Sequence, residues 1–145
     1  MGDLSPHFSR QEFACRCGCG IDNVSPNLVD ALERMRERLN WRTAMDLGPR
    51  TSDGGPRERG LVIRSGCRCR EHNASRDVGG KPDSAHLASR LEMCEAADLV
   101  AIISRDRYQL VRAAMEAGIK RIGIGRDFVH VDVDPAKDQE VVWLY

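Results

Sequence analysis

An α+β domain, built as a small antiparallel sheet with flanking helices, is the fold class this sequence predicts. Three observations carry that expectation. A stretch from Ser25 to about Asn40 places apolar residues at helical spacing. Several short β-rich runs follow it, separated by turn residues. Neither an internal repeat nor a low-complexity tract is present. With 145 residues, the chain is expected to form one domain, 1–145, large enough to bury a core without metal or disulfides.

The elements follow in order. Phe8 and Phe13 flank Ser9-Arg10-Gln11-Glu12, and the Ser9/Glu12 spacing fits a capping box, so a helical turn is expected there. Ser25 at a cap and Pro26 at the first helical position start the main helix. Leu28, Val29, Leu32, Met35 and Leu39 form its buried stripe. Residues 46–60 are rich in Gly, Pro and charge and read as a surface loop. Leu61-Val62-Ile63 reads as a strand closed by Ser65 and Gly66, and 70–83 reads as loop. Leu99 to Ile103 is a β-rich run with Asp98 at its mouth. Ser104 and Asp106 can cap a helix from about Arg107 to Ala117, with Gly118 as its stop. Arg121 to Gly125, Phe128 to Val133 and Val141 to Leu144 read as short strands.

Composition narrows the function. Lys and Arg number 22, matched by 22 Asp and Glu, which argues against a nucleic-acid or membrane-surface protein. No apolar run approaches the roughly 18–20 residues of a membrane span. The polar N-terminus lacks a signal-peptide apolar region. The expectation is therefore a monomer made in the cytoplasm, without membrane span or nucleic-acid partner.

Six cysteines are many for such a chain. Cys15, Cys17 and Cys19 alternate, Cys67 and Cys69 form a second pair, and Cys94 stands apart. The common C-x2-C zinc spacing is absent. Free thiols, one disulfide between the 15–19 and 67–69 segments, and a structural zinc all remain open.

The chemistry-bearing residues lie in Ser84-Ala85-His86, Ala96-Ala97-Asp98 and Phe128-Val129-His130-Val131-Asp132. Two histidines and a carboxylate on separate segments form the three-ligand set of a catalytic zinc, with one position left for water. Blander readings stand beside this one. Asp98 could cap a turn, and His130 and Asp132 could be an exposed pair on one strand face.

Longer motifs favour the sharper reading. Ile63-Arg64-Ser65-Gly66-Cys67-Arg68-Cys69-Arg70-Glu71-His72-Asn73 leads to Val78-Gly79-Gly80, then Ser84-Ala85-His86-Leu87, then Ala96-Ala97-Asp98-Leu99. Gly123-Ile124-Gly125 and Phe128-Val129-His130-Val131-Asp132 close the series. In this order the segments resemble the zinc D-Ala-D-Ala carboxypeptidases and their phage endolysin relatives, the LAS-type metallopeptidases. That family's pattern runs SGYR, HN, GG, SxHxxGxAxD, then GIG and FVHVD. The opening Phe8 to Gly20 is similar to the start of its small bacterial and phage members, so the likeness spans nearly the whole chain.

The resemblance implies a hedgehog/D-Ala-D-Ala peptidase-like fold and a Zn2+ cofactor held by His86, Asp98 and His130. It implies that Arg68 binds the scissile carbonyl oxygen, although a structural salt bridge is the alternative for that residue. It also implies that Ser84 orients the loop around His86. Asp132 or Asp127 would be the general base, with a slight preference for Asp132. Either acid could instead fix the tautomer of a ligand.

One departure stands out. Eleven residues separate His86 from Asp98, more than in the family pattern, and the glycine is missing. If Ala88 to Glu95 only lengthens a loop, Asp98 keeps its place; if it shifts the loop, Glu92 or Glu95 could substitute. The implied activity is hydrolysis of peptidoglycan stem-peptide amide bonds, as a D,D-carboxypeptidase or an L-alanyl-D-glutamate endopeptidase. Its place of action would be the cell wall, in the periplasm or after phage-type release. A non-catalytic module binding wall peptides or a partner is the alternative.

Overall fold

The computed structural model describes residues 2–46 and 60–145. The first turn, α1 (Arg10–Phe13), forms where Ser9 and Glu12 predict it, with the Ser9 N–H donating to Glu12 Oε2 at 2.7 Å. The main helix, α2 (Pro26–Asp46), runs past the expected end at Asn40. Its stripe is buried as the spacing requires, with Leu28, Val29, Leu32, Met35 and Leu39 all at most 4% exposed. Burial of each such side chain contributes about 1.5–3 kcal/mol. Apart from its two end residues, the loop expected over 46–60 lies outside the described residues.

The remaining elements are β1 (Ile63–Ser65), α3 (Arg70–Ala74), β2 (Ala96–Val100), α4 (Ser104–Glu116), β3 (Arg121–Ile124), β4 (Phe128–Asp132) and β5 (Val141–Leu144). Gly118 ends α4 with a φ of +82°, as a helix stop should. Beyond the longer α2, four elements differ from the sequence expectation. The helix expected from about Arg107 already begins at Ser104, with Ile103 and not Ser104 or Asp106 at its cap. The first strand sits two residues later. A short helix, α3, occupies part of the supposed loop 70–83. The central strand β2 begins at Ala96, so Asp98 lies at its middle and not at its mouth. Alanine has little intrinsic β preference, but full-length pairing with β4 overrides it.

The five strands lie in the order β1-β2-β4-β3-β5. The first three pairings are antiparallel and β5 runs parallel to β3. The cause lies in the connection. Asp132, at the end of β4, lies beside Arg121, and so does Val141, where β5 begins. The segment 133–140 thus crosses from one side of β3 to the other without changing level, and β5 must set off in the direction of β3.

Strand alternation divides the sheet into two faces. Ala97, Leu99, Ile122, Val129 and Val131 join the hydrophobic core, and α4 packs against β3 and β4 on that side. Asp98, His130 and Asp132 take the other set of positions and line a cleft. Among the described residues no helix is long and apolar enough to cross a membrane.

Candidate metal centre and its cleft

Asp98 and His130 are direct cross-strand partners on β2 and β4, so antiparallel register alone brings them together. His86 arrives from the loop before β2. The Ser84 hydroxyl accepts the His86 backbone N–H at 3.3 Å, and the Arg68 N–H donates to the His86 carbonyl at 2.7 Å. These bonds brace the turn that carries the imidazole.

Three atoms converge: His86 Nε2, Asp98 Oδ1 and His130 Nδ1. Their separations are 3.1 Å from His86 to Asp98, 3.1 Å from His86 to His130 and 2.9 Å from His130 to Asp98. Ligands held about 2.0–2.1 Å from a tetrahedral zinc would stand roughly 3.3 Å apart, so the triangle is close to the size such an ion needs. All three residues are buried. His86 Nδ1 lies 2.7 Å from the Gly66 carbonyl, which can only accept, so Nδ1 carries the proton and Nε2 keeps its lone pair for a metal. His130 presents Nδ1 to the triangle, while its Nε2 lies 3.7 Å from Asp132 Oδ2. A nitrogen, nitrogen, oxygen donor set of this kind fits zinc.

Burial works to raise the Asp98 pKa, but the interactions with His86 and His130 outweigh it and hold the carboxylate ionised. Burial pushes the His86 pKa down, keeping that ring neutral and able to ligate. Burial also opposes charge on His130, yet the carboxylates of Asp132 and Asp98 reverse the balance and raise its pKa. For Asp132, burial is outweighed by His130, the Asp134 N–H and Arg121, and its pKa is lowered.

The other expected residues have distinct positions. The Arg68 guanidinium bonds Asp98 Oδ2 at 2.6 Å and Ser65 Oγ at 3.0 Å, while also lining the cleft. Asp132 lines the cleft and is only 3% exposed. Arg121 Nε donates to its Oδ2 at 3.0 Å and the Asp134 N–H to its Oδ1 at 2.8 Å. Asp127 lies apart from the cleft lining, half exposed and paired with Arg64 at 2.5 Å.

The long His86–Asp98 connection is a self-contained excursion. Ser89 Oγ accepts the N–H groups of Leu91 and Glu92, and Asn23 Nδ2 holds the carbonyls of Ser89 and Glu92. The chain then returns, and the Glu95 N–H bonds the Ala85 carbonyl at 2.8 Å. Asp98 keeps its place in β2, and neither Glu92 nor Glu95 belongs to the ligand triangle.

The cleft itself encloses about 980 Å³. Trp143 and Tyr145, carried by and just after β5, form a wall against His130, with ring centroids 5.3 and 6.1 Å away. A Cβ on Gly123 would come within 2.6 Å of Tyr145 and 2.8 Å of Trp143, so the glycine of the Gly-Ile-Gly motif makes room for that wall. Gly80 plays a similar part, since a Cβ there would meet Asn73 Oδ1 at 2.0 Å. Asn73 clamps the cleft loop through Nδ2 to the Lys81 carbonyl at 2.8 Å. Sequence reasoning missed Arg121, Trp143 and Tyr145. Their roles depend on the β3–β5 pairing, which no local motif announces.

The sequence pattern of peptidase M15 matches residues 6–134. The chain belongs to the peptidase M15 family. The match takes in all three converging ligand residues, and M15 membership implies a zinc peptidase, the family being zinc-dependent in general. Among curated proteins none matches the chain. Within this M15 chain, the His86, Asp98 and His130 atoms form a possible metal site.

Proposed function

We propose that this M15 peptidase hydrolyses amide bonds of peptidoglycan stem peptides, with zinc held by His86, Asp98 and His130. The observation that carries the reading is the convergence of His86, Asp98 and His130 in the lining of a large cleft. Bound zinc would supply Lewis-acid polarisation of the scissile carbonyl and a water of lowered pKa.

The chain's own groups account for the rest. Arg68 is held beside Asp98, where its positive charge favours negative charge developing on the carbonyl oxygen. Asp132 holds the Nε2 side of His130 and is the acid we favour over Asp127 for proton transfer, because it borders the cleft. The water oxygen adds to the carbonyl carbon, the C–N bond breaks, and the water proton passes through the acid to the departing amine. Beyond the pairs Arg68–Asp98, Arg121–Asp132, Arg64–Asp127 and Lys137–Asp83, the cleft is lined by the cations Arg16 and Lys81 against the acid Asp77. That excess of positive charge suits a peptide bearing free carboxylates, as wall stem peptides do. The place of action would be the cell wall.

The test is release of amine from purified wall peptides by the zinc-loaded chain, with a chelator control. Chelator-sensitive cleavage, restored by zinc, is expected, and the products distinguish carboxypeptidase from endopeptidase. A chain that loads zinc and binds wall peptide without releasing amine would reverse the reading to a binding module.

A further inference from the structure

Four cysteines outside the trio form the second cluster of ligating atoms among the described residues: Cys15, Cys17, Cys19 and Cys69. The first three lie on one tight loop. Gly18 and Gly20 have φ of +83° and +78°, a region that L side chains rarely adopt. The Cys15 N–H bonds the Ile21 carbonyl at 2.8 Å and the Gly18 N–H bonds the Cys15 carbonyl at 3.2 Å, so the loop closes on itself. Its curl turns the alternating sulfurs toward a common point, and Cys69 meets them from the residue before α3. All four sulfurs lie within 4.8 Å of one another.

Distance separates the possible chemistries. A disulfide would bring two sulfurs to about 2.05 Å. Tetrahedral zinc with Zn–S bonds of about 2.3 Å would hold them roughly 3.8 Å apart. The Cys15–Cys17 separation is 3.4 Å and that of Cys17–Cys69 is 3.7 Å. Backbone donors also point at the sulfurs, the Cys69 N–H at Cys15 Sγ (3.4 Å) and the His72 N–H at Cys69 Sγ (3.3 Å). A purely sulfur donor set of four selects a soft or borderline ion and leaves no open position for water.

We propose that Cys15, Cys17, Cys19 and Cys69 form a closed, structural four-thiolate zinc site, separate from the His86–Asp98–His130 trio. Cys67 takes no part. It is buried, as is Cys94, and hydrogen bonding with Cys67 pushes the Cys94 pKa up. The site ties the N-terminal segment to the cleft wall. Arg16 sits between two of the ligands and Arg68 adjoins a third, and both line the cleft. The same junction is stitched by the Cys67 N–H to the Phe13 carbonyl at 2.8 Å and by Arg16 NH2 to the Ile63 carbonyl at 3.1 Å. Loading this centre displaces the thiol protons and sets the position of two guanidinium groups facing substrate.

The test is metal content and cobalt spectroscopy on the full chain, purified under reducing conditions. Two zinc ions per chain are expected. Cys17→Ser combined with Cys19→Ser should leave one, and so should His130→Ala. After cobalt exchange, the thiolate-to-cobalt charge-transfer absorption should persist in His130→Ala and vanish in the double serine variant. Cys17 and Cys19 are exposed, so the double substitution leaves the core intact. Should that variant still fail to fold, the parent's cobalt spectrum decides. A cobalt-loaded parent without the thiolate band overturns the proposal, as does an intact mass showing these cysteines joined in disulfides. The result is independent of whether wall peptides are cleaved.

Discussion

The His86–Asp98–His130 trio and the Cys15–Cys17–Cys19–Cys69 quartet are built in opposite ways. Two of the trio's ligands are paired residues on adjacent strands, and all three lie buried at a cleft floor. The quartet is carried by a loop and a helix start, and two of its members are exposed. The trio offers three donors, whereas the proposed four-thiolate site would offer four and leave no position for water. Rigid strands suit a site that must hold an ion while substrate exchanges beside it, and a loop suffices where the ion only ties segments together.

This contrast can be broken most sharply by removing one ligand from each. His130→Ala should lower hydrolysis by about 10³-fold or more, with the fold kept, since the lost group supports chemistry and not the core. The double serine variant should retain the trio's zinc yet melt about 5–10 °C lower, read by thermal unfolding. Equal loss of activity with no loss of stability in both would erase the distinction.

Asp132 and Asp127 sharpen the comparison within the trio's surroundings. Asp132→Asn should weaken zinc affinity about 10–100-fold, because the carboxylate that orients His130 is gone. It should also lower turnover at saturating zinc. Asp127→Asn should change either quantity little, since that residue faces Arg64. Full turnover of Asp132→Asn at full zinc occupancy would remove Asp132 from proton transfer.

Gly123→Ala comes next. Its Cβ would press on Trp143 and Tyr145, so a loss of about 1–3 kcal/mol in chemical denaturation is expected, with a raised KM as the aromatic wall shifts. The smallest effect concerns the contact of the N-terminal segment with α2. Glu33 accepts from Ser5 Oγ at 2.6 Å and from the His7 N–H at 3.0 Å, and its other oxygen lies 2.8 Å from His7 Nδ1. Burial works to raise its pKa, but these partners outweigh that and lower it. A depressed folded pKa contributes stability above the unfolded value, and the contribution is lost as pH falls through the folded one. Glu33→Gln should therefore cost under about 1 kcal/mol at neutral pH and flatten the acid limb of the stability profile.

How much of this was legible in the sequence differs between the regions. The convergence of His86, Asp98 and His130 could be read because several motifs in one order resemble a known family, where the spacing alone also admitted a turn cap and an exposed pair. The α2 stripe could be read because 3.6-residue spacing survives on any surface. The start of β2 could not, because Ala96 and Ala97 become strand only by pairing with β4. Arg121, Trp143 and Tyr145 were silent for a similar reason, their parts being assigned by a parallel pairing across a turn. The self-contained form of the Ala88–Glu95 excursion rests on Asn23, which lies more than 60 residues earlier in the chain. Of the cysteines, the alternation was visible, but the choice of Cys69 over Cys67 as fourth partner depended on which one turns into the core.

Anomalous diffraction at the zinc edge, on crystals of the zinc-loaded chain, addresses the trio most directly. A single strong peak within about 2.0–2.2 Å of His86 Nε2, Asp98 Oδ1 and His130 Nδ1 is the expected result. A preparation that cleaves wall peptide but shows no peak among those three atoms would contradict it.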